Sequence, residues 1–283
     1  MKELLANFHF DHLSLCGEEV LLCAGREFRA DPATAYIEAK CAQGLPVVTA
    51  YGMAMLPRVI ARSAPSWEGK MVNVGHLVKS YDPKGINRDR IVGHVAAHEF
   101  PPEPEGGWVI PESRNEAPGC RLILAIHKAA EMVPGLFGKA QAGREPWTVS
   151  MEVRYRLNEG AWAWKRRYAG ERLAPNSVDV GGGWDALPWD QCPPDLRDCY
   201  SDADSAVTKK WRGRDVVLLL GGLDGTVFFS GIALVNYGAE PGAEIKRLLA
   251  GRLDGKCPED GAALRQLAAS LQLANAAAAL KPL

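Results

Sequence analysis

No apolar run in this chain reaches the length needed to span a bilayer, and neither charge sign dominates: 33 Lys and Arg face 34 Asp and Glu, for a net charge of -1. A near-neutral balance gives no broad attraction to nucleic acid or anionic lipid, so neither is expected as a partner. The opening MKELLANFHFDHLSL has no uninterrupted apolar stretch of signal-peptide length, which makes a cytosolic site of synthesis the expectation. Seven cysteines, at positions 16, 23, 41, 120, 192, 199 and 257, form no C-x-x-C pair, so neither a zinc knuckle nor a disulfide framework is written here. They read as reduced, mostly buried thiols, and a clip between Cys192 and Cys199 runs against an intracellular chain. His9 and His12 flank Asp11 at a metal-compatible spacing, yet no second cluster supplies further ligands, and no metal is expected.

Several motifs that usually settle a function are also missing: there is no G-x-x-x-x-G-K-[ST], no H-E-x-x-H and no G-x-S-x-G. The glycine runs at 181–183 and 221–222 do not stand between a strand and a phosphate-binding helix, so they read as turns and no cofactor is expected.

With 47% hydrophobic and 24% charged residues, the chain has the composition of an ordinary globular protein. Residues 1–45 read as an entry segment with a short helix over ATAYIEAKCAQ, closed by Gly44. Residues 46–250 read as one mainly β domain with flanking helices. Its strands are expected in MVNVGHLVKSY and RIVGHVAAHEF, in RLILAIHKAAEMVP before a helix, and in WTVSMEVRYR, DVVLLLGG and TVFFSGIALV. Residues 158–212, rich in Trp, Gly, Pro and Asp with weak periodicity, read as a long excursion rather than a second domain. The last two strands are expected to join through a tight turn at Leu223, Asp224 and Gly225, and helices are expected over GAEPGAEIKRLLAGRL and in the Ala-rich tail at 251–283.

In WTVSMEVRYR, alternation sends Val149, Met151, Val153 and Tyr155 to one face and Thr148, Ser150, Glu152, Arg154 and Arg156 to the other, which puts Ser150 on the polar face. A serine hydroxyl becomes a useful nucleophile when an imidazole accepts its proton, and histidine has the pKa for that exchange. His76, at the end of MVNVGH, is the candidate base. His94 and His98 lie within a strand and His127 precedes a helix, which makes them structural candidates.

The order of segments resembles that of phage prohead maturation proteases, relatives of the herpesvirus assemblin proteases. His76 is followed by an I-G-x-V-like strand (Ile91, Val92, Gly93, His94, Val95), then by Val149-Ser150-Met151-Glu152. Last comes the stretch from Ala233 through Asn236 and Pro241 to Ala243, in the place of a V-P-A-N-P-x-A-like turn. The likeness spans residues 50 to 250 and lies in the order of short motifs. It implies a partly open β-barrel of the assemblin type with Ser150 as nucleophile and His76 as base. The implied activity is a serine endopeptidase that cleaves scaffold protein, major capsid protein and itself inside the assembling prohead in the host cytoplasm.

This chain departs from the pattern in two ways: it has Gly231 where the family often has an acid, and no histidine follows Ser150. Asp224 is proposed as the third member, although Asp-Gly is equally a turn signal and the site can also lack an acid. Glu152, two residues along the strand, is expected roughly 6 to 7 Å away, beside the nucleophile rather than behind the histidine. The basic run at 165–167 is a weak candidate for oxyanion stabilisation. The rival readings are an inactive virion or scaffold-binding protein with the same fold, and an unrelated small-molecule enzyme. The oligomeric state, a homo-oligomer included, stays open.

Overall fold

The computed structural model describes residues 12–15, 18–23, 26–29, 34–75, 91–127, 148–200, 209–235 and 240–249. Its main feature is a seven-stranded sheet. In spatial order the strands are β16 (Glu244–Leu249), β4 (Thr34–Gln43), β8 (Gly119–His127), β7 (Ile91–Glu99), β6 (Met71–Val74), β15 (Phe228–Val235) and β9 (Thr148–Arg154). Neighbours are antiparallel except β6 and β15, which run parallel. The sheet curls into a half-barrel, bringing β9 at one end towards β4 and β16 at the other.

Two stretches expected as helices are strands. In β4, buried Ile37, Ala39 and Cys41 alternate with the partly exposed Glu38 and Lys40, and the strand pairs with β8 on one side and β16 on the other. Its Ala, Glu and Lys favour a helix by only tenths of a kcal/mol each, which two hydrogen-bonded ladders override. EIKRLL forms β16, where the ladder with β4 likewise outweighs helix preference. The boundary expected at residue 45 therefore falls after the first strand of the main sheet. Ahead of it, β1 (His12–Leu15), β2 (Glu18–Cys23) and β3 (Arg26–Arg29) make a separate antiparallel sheet.

The stretch expected as an excursion also folds into a sheet. Its strands, in spatial order, are β11 (Val178–Gly181), β12 (Trp184–Pro188), β10 (Ala161–Lys165), β14 (Arg214–Leu219) and β13 (Lys209–Trp211), with β5 (Met53–Ala54) parallel to β14. Apart from β14, which was expected, the strands are only two to five residues long, too short for alternation to register in sequence, and buried Trp162, Trp164, Trp184 and Trp211 supply the core. Gly182 and Gly183 turn the chain between β11 and β12 at φ 59° and 75°, a region that Cβ-bearing residues avoid. β14 and β15 thus belong to different sheets, and the turn containing Asp224 carries the chain between them instead of closing a hairpin. Gly225 N–H donates to the Gly221 carbonyl within that turn at 2.9 Å.

Helix α1 (Pro57–Ser63) and the 3₁₀ turn Ala64–Trp67 cover the inner face of the main sheet, where Trp67 stacks on Phe229 at 4.3 Å between ring centroids. The Ser63 and Ser66 hydroxyls accept the N–H groups of Val227 and Phe229 at 3.0 Å each, which fixes the entry into β15. The main buried core runs from α1 through both larger sheets, and Tyr36, Ala97, Ile123 and Ala125 form a second, smaller cluster. Cys41, Cys120 and Cys192 are buried thiols and Cys199 is a partly exposed one. Among the described residues no helix is long and apolar enough to cross a membrane. The helix expected after His127 and the C-terminal tail lie outside the described residues.

Two positions test this architecture. At Gly93 a Cβ would lie 1.9 Å from the Ala125 carbonyl oxygen across the β7–β8 ladder. Gly93→Ala should therefore cost roughly 3 kcal/mol or more in urea unfolding, as backbone has to move. The second position is Glu240, a buried carboxylate that accepts the Ala42 N–H at 2.9 Å, the Gln43 N–H at 2.8 Å and Gln43 Nε2 at 3.2 Å. Burial outweighs those hydrogen bonds and pushes its carboxyl up to about 7. A raised folded-state value favours the protonated form, so this stabilisation is full below the ordinary value near 4.5 and is lost as pH rises through about 7. Glu240→Gln should remove that slope. Relative to wild type, the variant should gain on the order of 3 kcal/mol in unfolding free energy between pH 4.5 and 8; a constant difference across that range would refute this account.

Candidate functional site

The site is set by the register of β15 against its two neighbours. Ala233 lies opposite Ser150 of β9 and in register with Asn73 of β6, so Asn73, Ala233 and Ser150 form one row across three strands. The adjacent row is Met71, Gly231 and Glu152. These side chains share the outer face of the sheet, because their alternates Val72, Ile232, Leu234, Val149 and Met151 pack into the core beneath.

Ser150 is only 8% exposed, less open than its place on a polar face suggests, and its row-mates Asn73 and Ala233 are fully buried. Its hydroxyl makes no hydrogen bond to protein among the described residues, and unlike Asn73 Oδ1 it is not a fully buried atom left without a partner.

Glu152 does not stay beside the nucleophile. A β-bulge sits opposite it between Phe229 and Gly231, where the Ser230 hydroxyl donates to the Glu152 carbonyl at 3.2 Å. Bulges of this kind re-aim neighbouring side chains. Here the carboxylate crosses over Gly231, where a Cβ would lie 3.0 Å from Oε2, and reaches β6, where Oε1 accepts Asn73 Nδ2 at 3.1 Å. The same Nδ2 donates to the Gly75 carbonyl at 2.6 Å, while Asn73 Oδ1 is buried with no hydrogen-bond partner. The sequence reading missed Asn73, although an amide inside the apolar strand MVNV, three residues before His76, was a visible signal.

His76 lies outside the described residues. The preceding Gly75 is held by its N–H to the Leu234 carbonyl at 2.9 Å, at the end of β6. Strand β15 runs between β6, which leads into His76, and β9, which carries Ser150. The gap is about 10 Å at ordinary strand spacing, and small Gly231 and Ala233 leave its outer face low.

Asp224 is not brought to this face. Its side chain, 69% exposed, pairs with Arg58 Nε at 3.2 Å and stands 3.9 Å from Arg62 Nη1, both on α1, which packs against the inner face. His94 shares the outer face but stands in β7, three strand spacings or about 14 Å from β9. Partial burial and the neighbouring His127 ring, 5.9 Å away, hold its imidazole below the ordinary value. His98 contacts Glu68 at 3.2 Å.

The basic run serves the second sheet: Arg166 pairs with Asp179 at 2.8 Å and lies 3.7 Å from Asp185, and Arg167 donates to the Gly213 carbonyl at 3.3 Å. Among the described residues no group of three or more His, Cys, Asp or Glu is placed to hold a metal. No protein-family model matches the chain, and no curated protein or solved structure matches it either, so the functional reading rests on this geometry and on the sequence pattern.

Proposed function

We propose that the chain is a serine endopeptidase of the prohead-maturation type, with Ser150 as nucleophile and His76 as base. Its proposed substrates are scaffold protein, major capsid protein and the chain itself within an assembling phage head. The observation that carries the reading is the Ser150 hydroxyl. It is uncommitted, sits on the terminal strand of the sheet, and shares its face with the carboxylate and amide that reach the strand leading into His76.

Ser150 Oγ attacks the scissile carbonyl while the imidazole takes its proton. The imidazolium then protonates the departing amine, and water activated by the same ring releases the acyl group. As an end strand, β9 offers main-chain groups to an extended peptide, which aligns a scissile bond along the strand that carries the nucleophile.

A fluorophosphonate probe, followed by mass-spectrometric mapping, should label Ser150. Ser150→Ala should abolish labelling and processing of scaffold while changing unfolding free energy by less than about 1 kcal/mol, since among the described residues the hydroxyl makes no hydrogen bond to lose. Labelling confined to another residue, or normal processing by Ser150→Ala, would overturn the assignment.

A further inference from the structure

We infer that one end of the second sheet, where the loop after β10 meets the β13–β14 turn, is a docking surface for an acidic peptide segment. The inference stands apart from the reading of Ser150, because it uses a different part of the molecule.

The whole chain carries a net charge of -1, yet residues 165–172 and 209–214 hold eight Lys or Arg and a single acid, Glu171. The fold brings these two segments together. Arg214 Nη1 donates to the Lys165 carbonyl at 3.4 Å and its Nη2 pairs with Glu171, while Arg167 Nη2 donates to the Gly213 carbonyl at 3.3 Å. Like charges gathered this closely give the end a local potential that the near-neutral chain as a whole lacks. Acids from neighbouring segments offset part of it: Asp179 and Asp185 face Arg166, Asp195 faces Arg212, and Asp215 faces Lys210. Counting every described acid that pairs with these residues, the end keeps an excess of three positive charges. Burial pushes the Asp185 carboxyl up, which weakens its share of the offset.

The outermost cations are open to a partner. Lys165, Arg167 and Arg172 are exposed and make no ion pair among the described residues. Arg167 spends one guanidinium donor on the Gly213 carbonyl and Arg172 one on the Ser177 carbonyl, and the rest of each planar fork has the shape that a carboxylate fills with two hydrogen bonds. Tyr168, next to Arg167 and 74% exposed, adds an aromatic surface on which the apolar part of a peptide can lie.

The spacing of charge favours a peptide over a nucleic acid. Asp179, Asp195 and Asp215 stand at the surface among the cations. A nucleic-acid strand carries one charge about every 3.4 Å and would run against them. Carboxylates on a peptide are separated by the residues between them, so they can reach Lys165, Arg167 and Arg172 and pass the acids by.

The test is fluorescence anisotropy of a labelled peptide of about ten residues, alternating Glu and Gly, with the Gln-for-Glu peptide and a thymidine oligonucleotide of equal length alongside. The full chain should bind the Glu peptide at least about tenfold more tightly than the Gln peptide, and added salt should weaken that binding. Lys165→Glu with Arg167→Glu should cost at least about tenfold in affinity, while Arg154→Glu with Arg156→Glu, the same change of charge on exposed residues elsewhere, should stay within about twofold. Equal binding of the Glu and Gln peptides, or equal losses in both double variants, would overturn the inference. Tighter binding of the oligonucleotide, lost in the Lys165 and Arg167 variant, would make the surface a nucleic-acid site and overturn the peptide assignment. Should that variant not fold, Lys165→Gln with Arg167→Gln decides: an unchanged affinity for the Glu peptide sinks the proposal, and a weakened one supports it.

Discussion

Strand β15 is hydrogen-bonded in parallel to β6 and antiparallel to β9, and everything at the candidate site depends on that double register. A slip of one residue would send Ser150 and Glu152 into the core and bring Val149 and Met151 to the surface. The register is pinned from the inner side. Phe229 is stacked under Trp67, and two serine hydroxyls of the α1 region hold the N–H groups of Val227 and Phe229. Packing on one face thus fixes which side chains meet on the other.

The outer face is built by leaving things out. Gly231 and Ala233 carry almost no side chain, so the middle strand of the three is a shallow floor between polar groups on its flanks. Here an amide and a carboxylate from strands on either side meet over the glycine, a separation that side chains on nearest-neighbour strands would not need to bridge. The residue directly opposite Ser150 is alanine, which offers its hydroxyl no partner, and none is found elsewhere among the described residues.

Much of this was legible in the sequence. The strands carrying the site follow from alternation in TVSMEVR, from the apolar run MVNV and from FFSGIALV, and Ser150 and Glu152 were placed on one face correctly. What failed has physical causes. TAYIEAKCAQ and EIKRLL contain good helix formers, and only the partners on either side of β4, supplied from 80 and 200 residues away, decide for strand. The second sheet uses segments of a few residues held by buried tryptophans, below the length at which periodicity can be read. The path of Glu152 depended on a bulge and on a glycine in another strand, and neither can be inferred from spacing along β9 alone.

Residues 240–243 tie the site to the far end of the sheet. Glu240 grips the end of β4 through two backbone N–H groups and the Gln43 side chain, and Ala42 sits there at φ 51°, an uncommon conformation outside glycine. Two successive N–H groups turned towards one carboxyl group make a small acceptor-binding concavity at that backbone. Three residues on, the Ala243 carbonyl accepts the Thr148 hydroxyl, the first residue of β9. One short segment therefore links β4 to the start of the strand that carries Ser150, bridging the two ends of the curled sheet. Among the described residues that closure is a side-chain contact and not a ladder, so β9 stays the end strand of the sheet.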